Sequence, residues 1–537
     1  MKSKNQKYLI WIALPLWLLA FGCAQIRGLD GGAVDADPPQ LVSVYPENLS
    51  TRFREKTIVL TFDEYVQINN IAQELVVSPP LNRPVKVEIK RKTVYLTIEE
   101  ELRPNATYTF NFGNAIVDFR EGNKADLNYV VSTGDVIDSL AVAGSVRDAW
   151  TGAPSEGTRV MLYPDTSTSN VLRGVPLYMT KSRKDGSFKL SYLAPGKYHL
   201  VLVTETTENY SLDDNELMAF SDSLVQPQVD DSLLTMRRFY LSHSMPRNQS
   251  ITNYQVDSVG KLSMVRSFRF APLVAIPERE SLSQISVTDE FSDSTWLWLL
   301  GPAGDTEEGV ILSLRDSVLD TLYVPYFESY RIKPIKGKLS SSARVSPKSL
   351  IRVKFPIPID SLDATRILLF HSDSIPVMVS PSISSNLPNE ISVDHSPLIP
   401  ASYRLLLLPG AVRSIHGASN DTVDLKFGVP LPSDFGAIKL SVSGVGSNYA
   451  LFLELREAKG RLLWLGVVDS PGVWKMGELL PGEYEVRVWE DRIGNGLWDE
   501  ADFENQVQPE RVWVFNQKLN IRANWDIDLK WDLSQPD

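Results

Sequence analysis

The chain of 537 residues contains a single cysteine, Cys23. No intrachain disulfide can form, although secreted domains that cannot build a sufficient core usually depend on disulfides. Each folded unit must therefore be stabilised by apolar burial alone, and we expect several domains of about 100–200 residues. A hydrophobic content of 43% and a charged content of 22% are those of a globular protein.

Cys23 follows a short apolar segment that lies behind a basic leader. Three lysines within the first seven residues precede an uncharged apolar run over residues 8–21, and the small Gly22 stands before the cysteine. A membrane-spanning helix needs about 20 apolar residues, and this run is shorter and contains Pro15. The pattern predicts a signal peptide over residues 1–22 that is removed during export.

The residues Ala20-Phe21-Gly22-Cys23 resemble a bacterial lipobox in the relaxed form of Bacteroidetes-type lipoproteins. The resemblance implies cleavage before Cys23 and acylation of its thiol. The alternative is an ordinary signal peptide whose apolar region happens to end in cysteine. One acyl chain binds a membrane only marginally, whereas two or more hold a protein there stably. Residues 23–37, rich in Gly, Asp and Ala, are then expected to form a flexible tether.

Beyond the tether, almost every segment has the character of a β-strand. Residues 57–62 (TIVLTF), 93–98 (TVYLTI) and 108–112 (YTFNF) are β-branched or aromatic and largely alternate in polarity. Pro, Gly, Asn and Asp separate such segments at intervals of about 8–12 residues, which is typical of β-sandwiches. Because long amphipathic helical patterns are nearly absent, we predict an all-β chain of tandem β-sandwich domains.

The sequence also repeats two motifs in the same order. Residues 58–62 (IVLTF) recur as 351–355 (IRVKF), and 193–198 (LAPGKY) recurs as 480–484 (LPGEY). Duplication of a two-domain cassette, with extra β material between the copies, is the simplest explanation. The predicted units after the tether are 38–134, 135–235, 236–334, 335–431 and 432–537.

Two of these units resemble known domain families. The first resembles the SbsA-type bacterial Ig-like domain in residues 44–46 (VYP), 58–62 and 104–110 (PNATYTF). The second resembles carboxypeptidase-regulatory or transthyretin-like sandwiches in residues 142–154 and 184–198. Units four and five are then a divergent second Ig-like domain and a second transthyretin-like sandwich, with a middle β domain before them.

The start of the mature chain is similar to a group of Bacteroidetes-type Ig-like lipoproteins. The similarity is carried by residues 23–26 (CAQI), 61–67 (TFDEYVQ) and 132–136 (STGDV). It implies a fold and a cell-envelope compartment, and it implies no catalytic residues.

Composition and motifs argue against several function classes. A net charge of −12 without a Lys/Arg stripe disfavours a nucleic-acid partner. The five histidines share no metal-ligand spacing, and the sequence lacks a nucleophile elbow, a Walker-type loop and a dinucleotide fingerprint. We therefore expect no enzymatic activity and no cofactor. A pair of carboxylates from different strands, as in glycosidases, remains an alternative that sequence does not address.

The most distinctive polar segment is the loop over residues 491–502. Asp491, Asn495, Asp499 and Asp502 stand at positions one, five, nine and twelve of a pattern that partly matches a calcium loop. Ile493 replaces the oxygen ligand expected at position three. The loop is thus a weak calcium candidate, and the alternative is an Asn-Gly turn with acidic flanks.

Tryptophan is concentrated in the last unit, and Trp498 lies within this same loop. Flat indoles can stack on sugars or dock a protein, although they more often belong to a sandwich core. Trp498 is accordingly a candidate ligand-stacking residue.

These patterns together predict a non-catalytic envelope lipoprotein that acts as a binding or scaffold protein. The expected partners are the membrane, through the lipid, and an envelope protein or a glycan. The alternatives are a glycan-binding protein that uses the C-terminal aromatics and an envelope hydrolase with an unrecognised carboxylate site. The first acidic residue after Cys23 is Asp30, which favours an outer-membrane location facing the periplasm over surface export.

Substituting Cys23 by Ala should abolish acylation, because it removes the thiol group that receives the lipid. Metabolic labelling with palmitate measures this directly. A Gln25→Ala variant, altered two residues further on, should incorporate label like the unmodified chain. Continued labelling of the Cys23→Ala protein would refute the lipid attachment.

Overall fold

A computed structural model describes residues 36–534, with short gaps at 165–170, 206, 208, 214, 229–232, 245–250, 258–260, 267–273, 289–293, 302–306, 315–316, 326–333, 341–343, 373, 386, 447 and 459–461. The predicted signal peptide, Cys23 and most of the tether lie outside the described residues. The described chain consists of tandem β-sandwiches, which confirms the predicted all-β fold class. Within the same ranges, no helix has the length and apolar character that a bilayer crossing requires.

The first sandwich contains a short helix, α1 (Ile71–Glu74), and the strands β1 Leu41–Tyr45, β2 Thr57–Phe62, β3 Val66–Ile68, β4 Val76–Ser78, β5 Lys86–Lys90, β6 Thr93–Thr97, β7 Thr107–Asn111, β8 Ile116–Asp118 and β9 Asn128–Ser132. One sheet has the order β1-β2-β6-β5, a second has the order β4-β7-β9, and β3 pairs with β8. Alternate residues of β2 point into the core because side chains alternate along a strand. Ile58 and Leu60 are fully buried there, against Tyr108 and Phe110.

The second sandwich contains β10 Leu140–Asp148, β11 Arg159–Pro164, β12 Tyr178–Lys181, β13 Ser187–Leu193, β14 Tyr198–Val203, β15 Met218–Phe220 and β16 Leu233–Leu241. Its sheets have the orders β13-β10-β16 and β12-β11-β14-β15, and β16 runs parallel to β10. The boundary predicted between residues 235 and 236 falls inside β16 and is corrected, because β16 pairs with β10 from Leu233 to Leu241.

The middle unit contains β17 Ile251–Val256, β18 Lys261–Arg266, β19 Val274–Pro277, β20 Ser283–Thr288, β21 Ser294–Leu300, β22 Glu307–Leu314 and β23 Ser317–Pro325. The sheets have the orders β17-β18-β21-β20 and β19-β22-β23. Leu262, Leu297 and Val310 belong to its own apolar core. Trp298 is fully buried and packs instead with the core of the next sandwich.

The fourth unit contains β24 Lys338–Leu339, β25 Ile351–Lys354, β26 Ile359–Leu362, β27 Ile367–His371, β28 Ile375–Val377, β29 Val379–Ile383, β30 Glu390–His395, β31 Ala401–Leu407, β32 Val412–Ser414 and β33 Val423–Val429. Its sheet β24-β25-β30-β29 has the same order as β1-β2-β6-β5 in the first sandwich. The pair β26-β32 likewise corresponds to β3-β8, and β27-β31-β33 corresponds to β4-β7-β9.

The C-terminal sandwich contains β34 Gly436–Ser443, β35 Ala450–Glu457, β36 Leu462–Val468, β37 Gly472–Leu479, β38 Gly482–Asp491, β39 Val512–Val514, β40 Leu519–Ile521 and β41 Asp526–Asp532. The order β37-β34-β41, with β41 parallel to β34, repeats that of β13-β10-β16. The order β36-β35-β38-β39 repeats that of β12-β11-β14-β15.

A tyrosine contact also recurs between the second and C-terminal sandwiches. The hydroxyl of Tyr198 donates to the carbonyl of Ala194 at 2.7 Å, and the hydroxyl of Tyr484 donates to the carbonyl of Leu480. These tyrosines end the two LxPG-type motifs of the sequence. Equal strand orders and equal tyrosine contacts agree with the predicted duplication of a two-domain cassette.

Candidate functional site

The long loop between β38 and β39, residues 492–511, leaves the C-terminal sandwich and reaches the second sandwich. Ala501 forms a parallel β-bridge with Ser244, and the amide of Ala501 donates to Ser242 Oγ at 2.9 Å. Ala501 is fully buried in an apolar cluster with Met161 and Met218 of the second sandwich. The loop therefore completes part of the core of a sandwich that lies more than 250 residues earlier in the chain.

Side chains that follow Ala501 in the loop extend this contact. The ring of Phe503 packs edge-on against Phe220, with 5.3 Å between the ring centroids. Gln508 Nε2 donates to the carbonyl of Phe220 at 3.1 Å and to Asp222 Oδ1 at 2.6 Å. We refer to residues 492–511 together with their contacts to the second sandwich as the interdomain contact.

Trp150 of the second sandwich lies over the outer face of the β36-β35-β38-β39 sheet. Its ring is 5.3 Å from the guanidinium of Arg487 and 5.9 Å from that of Arg456. Both arginines lie beside the buried Glu454, with Arg456 Nε at 2.8 Å from Glu454 Oε1. A cation over an indole face is attracted by the ring quadrupole, so these pairs add electrostatic attraction to the apolar contact.

Trp498, the predicted ligand-stacking residue, belongs to the same contact. Its ring packs on Trp150 with 5.1 Å between centroids, and its Nε1 donates to the carbonyl of Glu510 at 2.8 Å. The indole is half-buried between the two sandwiches. Stacking of Trp498 on a ligand stays a prediction, and what the structure places against it is another tryptophan.

Three carboxylates, which we call the acidic group, come together at the base of the loop. One oxygen each from Asp491, Asp499 and Glu510 lies within 4.8 Å of the others. Asp491 and Glu510 are 5% and 4% exposed. Oxygen ligands of calcium stand about 2.3–2.6 Å from the ion, so two ligands of one ion can be up to about 5 Å apart. The spacing of these three oxygens therefore fits one calcium ion.

The structure separates the four predicted calcium ligands. Asp491 and Asp499 belong to the acidic group, and Asn495 Nδ2 donates to Asp499 Oδ2 at 2.9 Å. Asp502 does not belong to it, because its carboxylate accepts from the amide of Asn505 at 3.0 Å and from the side chain of Asn505. Asp502 is therefore not a ligand of this group, which corrects the prediction for position twelve. Backbone hydrogen bonds between Asp502 and Val507 close a turn that directs the Asp502 carboxylate away from the group.

Glu510, and not Asp502, is the third carboxylate of the acidic group, and it was not predicted from the sequence. It lies outside the twelve-residue pattern, directly after the Gln508-Pro509 pair. The corresponding pair in the first copy, Gln226-Pro227, is followed by the neutral Gln228. The acidic residue after the second Gln-Pro pair was the available signal for a third carboxylate.

Backbone amides hold Asp491 in the orientation that this cluster needs. Its Oδ1 accepts from the amide of Gly494 at 2.6 Å, and its Oδ2 accepts from that of Gly496 at 2.9 Å. Both glycines have a positive φ, of 75° and 73°, which residues with a Cβ adopt only at a cost. The side chain of Ile493, at the position that lacks an oxygen, is 70% exposed.

Burial and mutual repulsion both act on the carboxylates of the acidic group. Burial raises the pKa of Glu510 to about 7, and the charges of Asp499 and Asp491 add to this against hydrogen bonds from two backbone amides. Burial also raises the pKa of Asp499, and Asn495 partly opposes that shift. Carboxylates that repel one another in a buried place favour a proton or a cation between them.

Comparison with known proteins identifies one part of the chain. Residues 35–133 match the family model of the bacterial Ig-like domain. This range corresponds to the first sandwich, where the resemblance to an SbsA-type Ig-like domain had been predicted, and the presence of an Ig-like domain is confirmed. No curated protein matches the chain.

Three solved structures that the chain resembles are distant in sequence. The major pilin BcpA of Bacillus cereus is 11% identical, with a TM-score of 0.13, over 74% of this chain and 99% of the pilin. Domains MG0-NIE-MG1 of Escherichia coli alpha-2-macroglobulin are 13% identical, with a TM-score of 0.17, over 34% and 72% of the two chains. The surface layer protein SbsC, domains 1–6, is 11% identical, with a TM-score of 0.15, over 90% and 67%. Likeness at this level carries no argument about this chain.

Replacing Trp150 by Ala should loosen the interdomain contact, because it removes the ring that Trp498, Arg456 and Arg487 face. Amide hydrogen exchange in residues 492–511 should then accelerate by at least tenfold, the ratio that corresponds to about 1.4 kcal/mol. Trp525→Ala is the matched control, since Trp525 is 52% exposed and contacts Arg522 of its own sandwich. Unchanged exchange in Trp150→Ala would show that the indole contributes nothing to the contact.

Proposed function

We propose that this chain is a non-catalytic, lipid-anchored protein of the cell envelope that acts as a scaffold or binding protein. Cys23 attaches it to the outer membrane, and its sandwiches face the periplasm. The observation that carries the proposal is the interdomain contact, which joins the second and C-terminal sandwiches. A chain of sandwiches fixed to one another presents its surfaces at set positions, which is what a scaffold requires.

Contacts between the other sandwiches support the same proposal. Ser78 Oγ of the first sandwich accepts from the amide of Met179 in the second at 3.0 Å, and Val76 enters the apolar cluster of that second sandwich. Trp298 Nε1 of the middle unit donates to the carbonyl of Pro356 in the fourth at 3.1 Å. These two pairs of neighbouring units are thus joined by a hydrogen bond and by apolar contacts as well as by the chain itself.

An envelope protein is the partner class we favour over a glycan. Glycan binding by the C-terminal aromatics would use Trp498, and that indole packs on Trp150. The match of residues 35–133 to the bacterial Ig-like domain family supports an envelope role without naming a ligand. A hydrolase with a hidden carboxylate pair is less well supported, because the buried carboxylates of the acidic group lie within a domain contact.

Protease treatment of intact cells tests the proposed location. The protein should resist protease in intact cells and be digested once the outer membrane is permeabilised. The Cys23→Ala variant should leave the membrane fraction and be found in the soluble envelope fraction. Loss of the protein from intact cells would place it on the outer surface and contradict the periplasmic orientation. Crosslinking in the native envelope, followed by purification, would then identify the partner class.

We further propose that Asp491, Asp499 and Glu510 bind calcium. The observation that favours this site is the third carboxylate, Glu510, which supplies the oxygen that Asp502 was predicted to supply. Calcium would displace the proton that the raised pKa of Glu510 retains, so the affinity should fall as the pH drops below about 7.

Isothermal titration of the full chain with Ca²⁺ measures this binding. We expect heat at pH 7.5, a dissociation constant below about 1 mM and a higher melting temperature. Glu510→Gln should abolish the heat, whereas Glu504→Gln, an exposed acid in the same loop, should leave it unchanged. Absence of heat with an unchanged melting temperature would remove the calcium proposal and leave the scaffold proposal standing.

A further inference from the structure

β36, Leu462–Val468, is an edge strand of the larger C-terminal sheet. It pairs with β35 on one side, and among the described residues no strand pairs with its other side. Its sequence LLWLGVV contains no charge and no proline. Proteins usually protect such edges with charged residues or proline, as β5 does with Lys86, Glu88 and Lys90 at an edge of the first sandwich. A bulge at the start of β36 leaves Trp464–Val468 in regular register with β35.

The side chains of β36 alternate between the core and the outer face of the sheet. Val468 is buried in the core and Trp464 packs against it. On the outer face, Leu463, Leu465 and Val467 are 36%, 38% and 53% exposed. They form an aliphatic strip, which we call the β36 strip.

The β36 strip continues the face that the second sandwich partly covers. Val467 lies opposite Phe452 on β35, and Leu465 lies opposite Glu454. Phe452 stacks on Trp489 at 4.4 Å, and Glu454 holds the arginines that Trp150 contacts. The strip is thus the uncovered border of an established apolar and aromatic contact.

We propose that β36 pairs antiparallel with β36 of a second copy of this chain. A two-fold axis at Leu465 places each Leu465 opposite its counterpart, and each Leu463 opposite Val467 of the second copy. Every side-chain pair on the outer face is then aliphatic.

The absence of charge on β36 also permits a second copy to approach this edge. With a net charge of −12, two copies repel one another in general, and an uncharged strand is where they can approach. One added strand pair buries less than the roughly 1,200 Å² of a standard stable interface. The pairing is therefore a weak, reversible dimer, strengthened where copies are concentrated.

Disulfide trapping in the full chain tests the register. In a Cys23→Ala background the chain has no other cysteine, so any crosslink comes from the introduced residue. Leu465→Cys should form a disulfide-linked dimer under mild oxidation, because directly opposed residues have Cβ atoms about 4.5–5.5 Å apart. Val467→Cys is the matched control, since its two copies would be separated by four residues, about 13 Å. Equal crosslinking of both variants, or none of Leu465→Cys, would overturn the proposal.

Sedimentation of the uncrosslinked full chain gives a second readout. The unmodified protein should dimerise with increasing concentration, and Leu465→Lys should stay monomeric because two ammonium groups would meet at the axis. The Ile375 side chain is 58% exposed on another edge strand, β28, and the Ile375→Lys protein should dimerise like the unmodified protein. A monomer at all concentrations, or dimerisation that survives Leu465→Lys, would contradict the pairing. None of these outcomes depends on the proposed scaffold function or on calcium.

Discussion

The contact between the loop 492–511 and the second sandwich organises the chain as a whole. Ser242 and Ala501 are 259 residues apart in sequence, and closing so long a segment costs conformational entropy that increases slowly with its length. No disulfide offsets this cost. Burial of Ala501 among the side chains of the second sandwich, together with the stack of Trp498 on Trp150, supplies the opposing free energy.

This contact and the acidic group share residues. The carbonyl of Glu510 accepts from the Trp498 indole, while its carboxylate accepts from the amides of Asp499 and Arg492. A change of charge on Glu510 would therefore reach the indole that faces the second sandwich. The same loop thus provides both the candidate cation site and the link between the duplicated sandwiches, which is why we place the proposed function there.

Local features of the fold could be predicted from the sequence, and contacts between distant segments could not. Ile58 and Leu60 are core residues because alternation along a strand is a local pattern, and the two cassettes are visible because their turn motifs recur. The predicted boundary cut through β16. The parallel pairing of β16 with β10 joins segments that are distant in the sequence, so no local pattern marks it. Glu510 and Trp150 joined the site through tertiary contacts, so their spacing in the sequence carried little information.

The most direct measurement of the interdomain contact is the reactivity of a Ser244→Cys, Ala501→Cys pair in the Cys23→Ala full chain. Residues paired in a β-bridge have Cα atoms about 5 Å apart, which suits a disulfide. Mild oxidation should join the two thiols within one monomer, and peptide mapping should recover the crosslink. Two thiols that stay free under these conditions would mean that the second and C-terminal sandwiches are not held together.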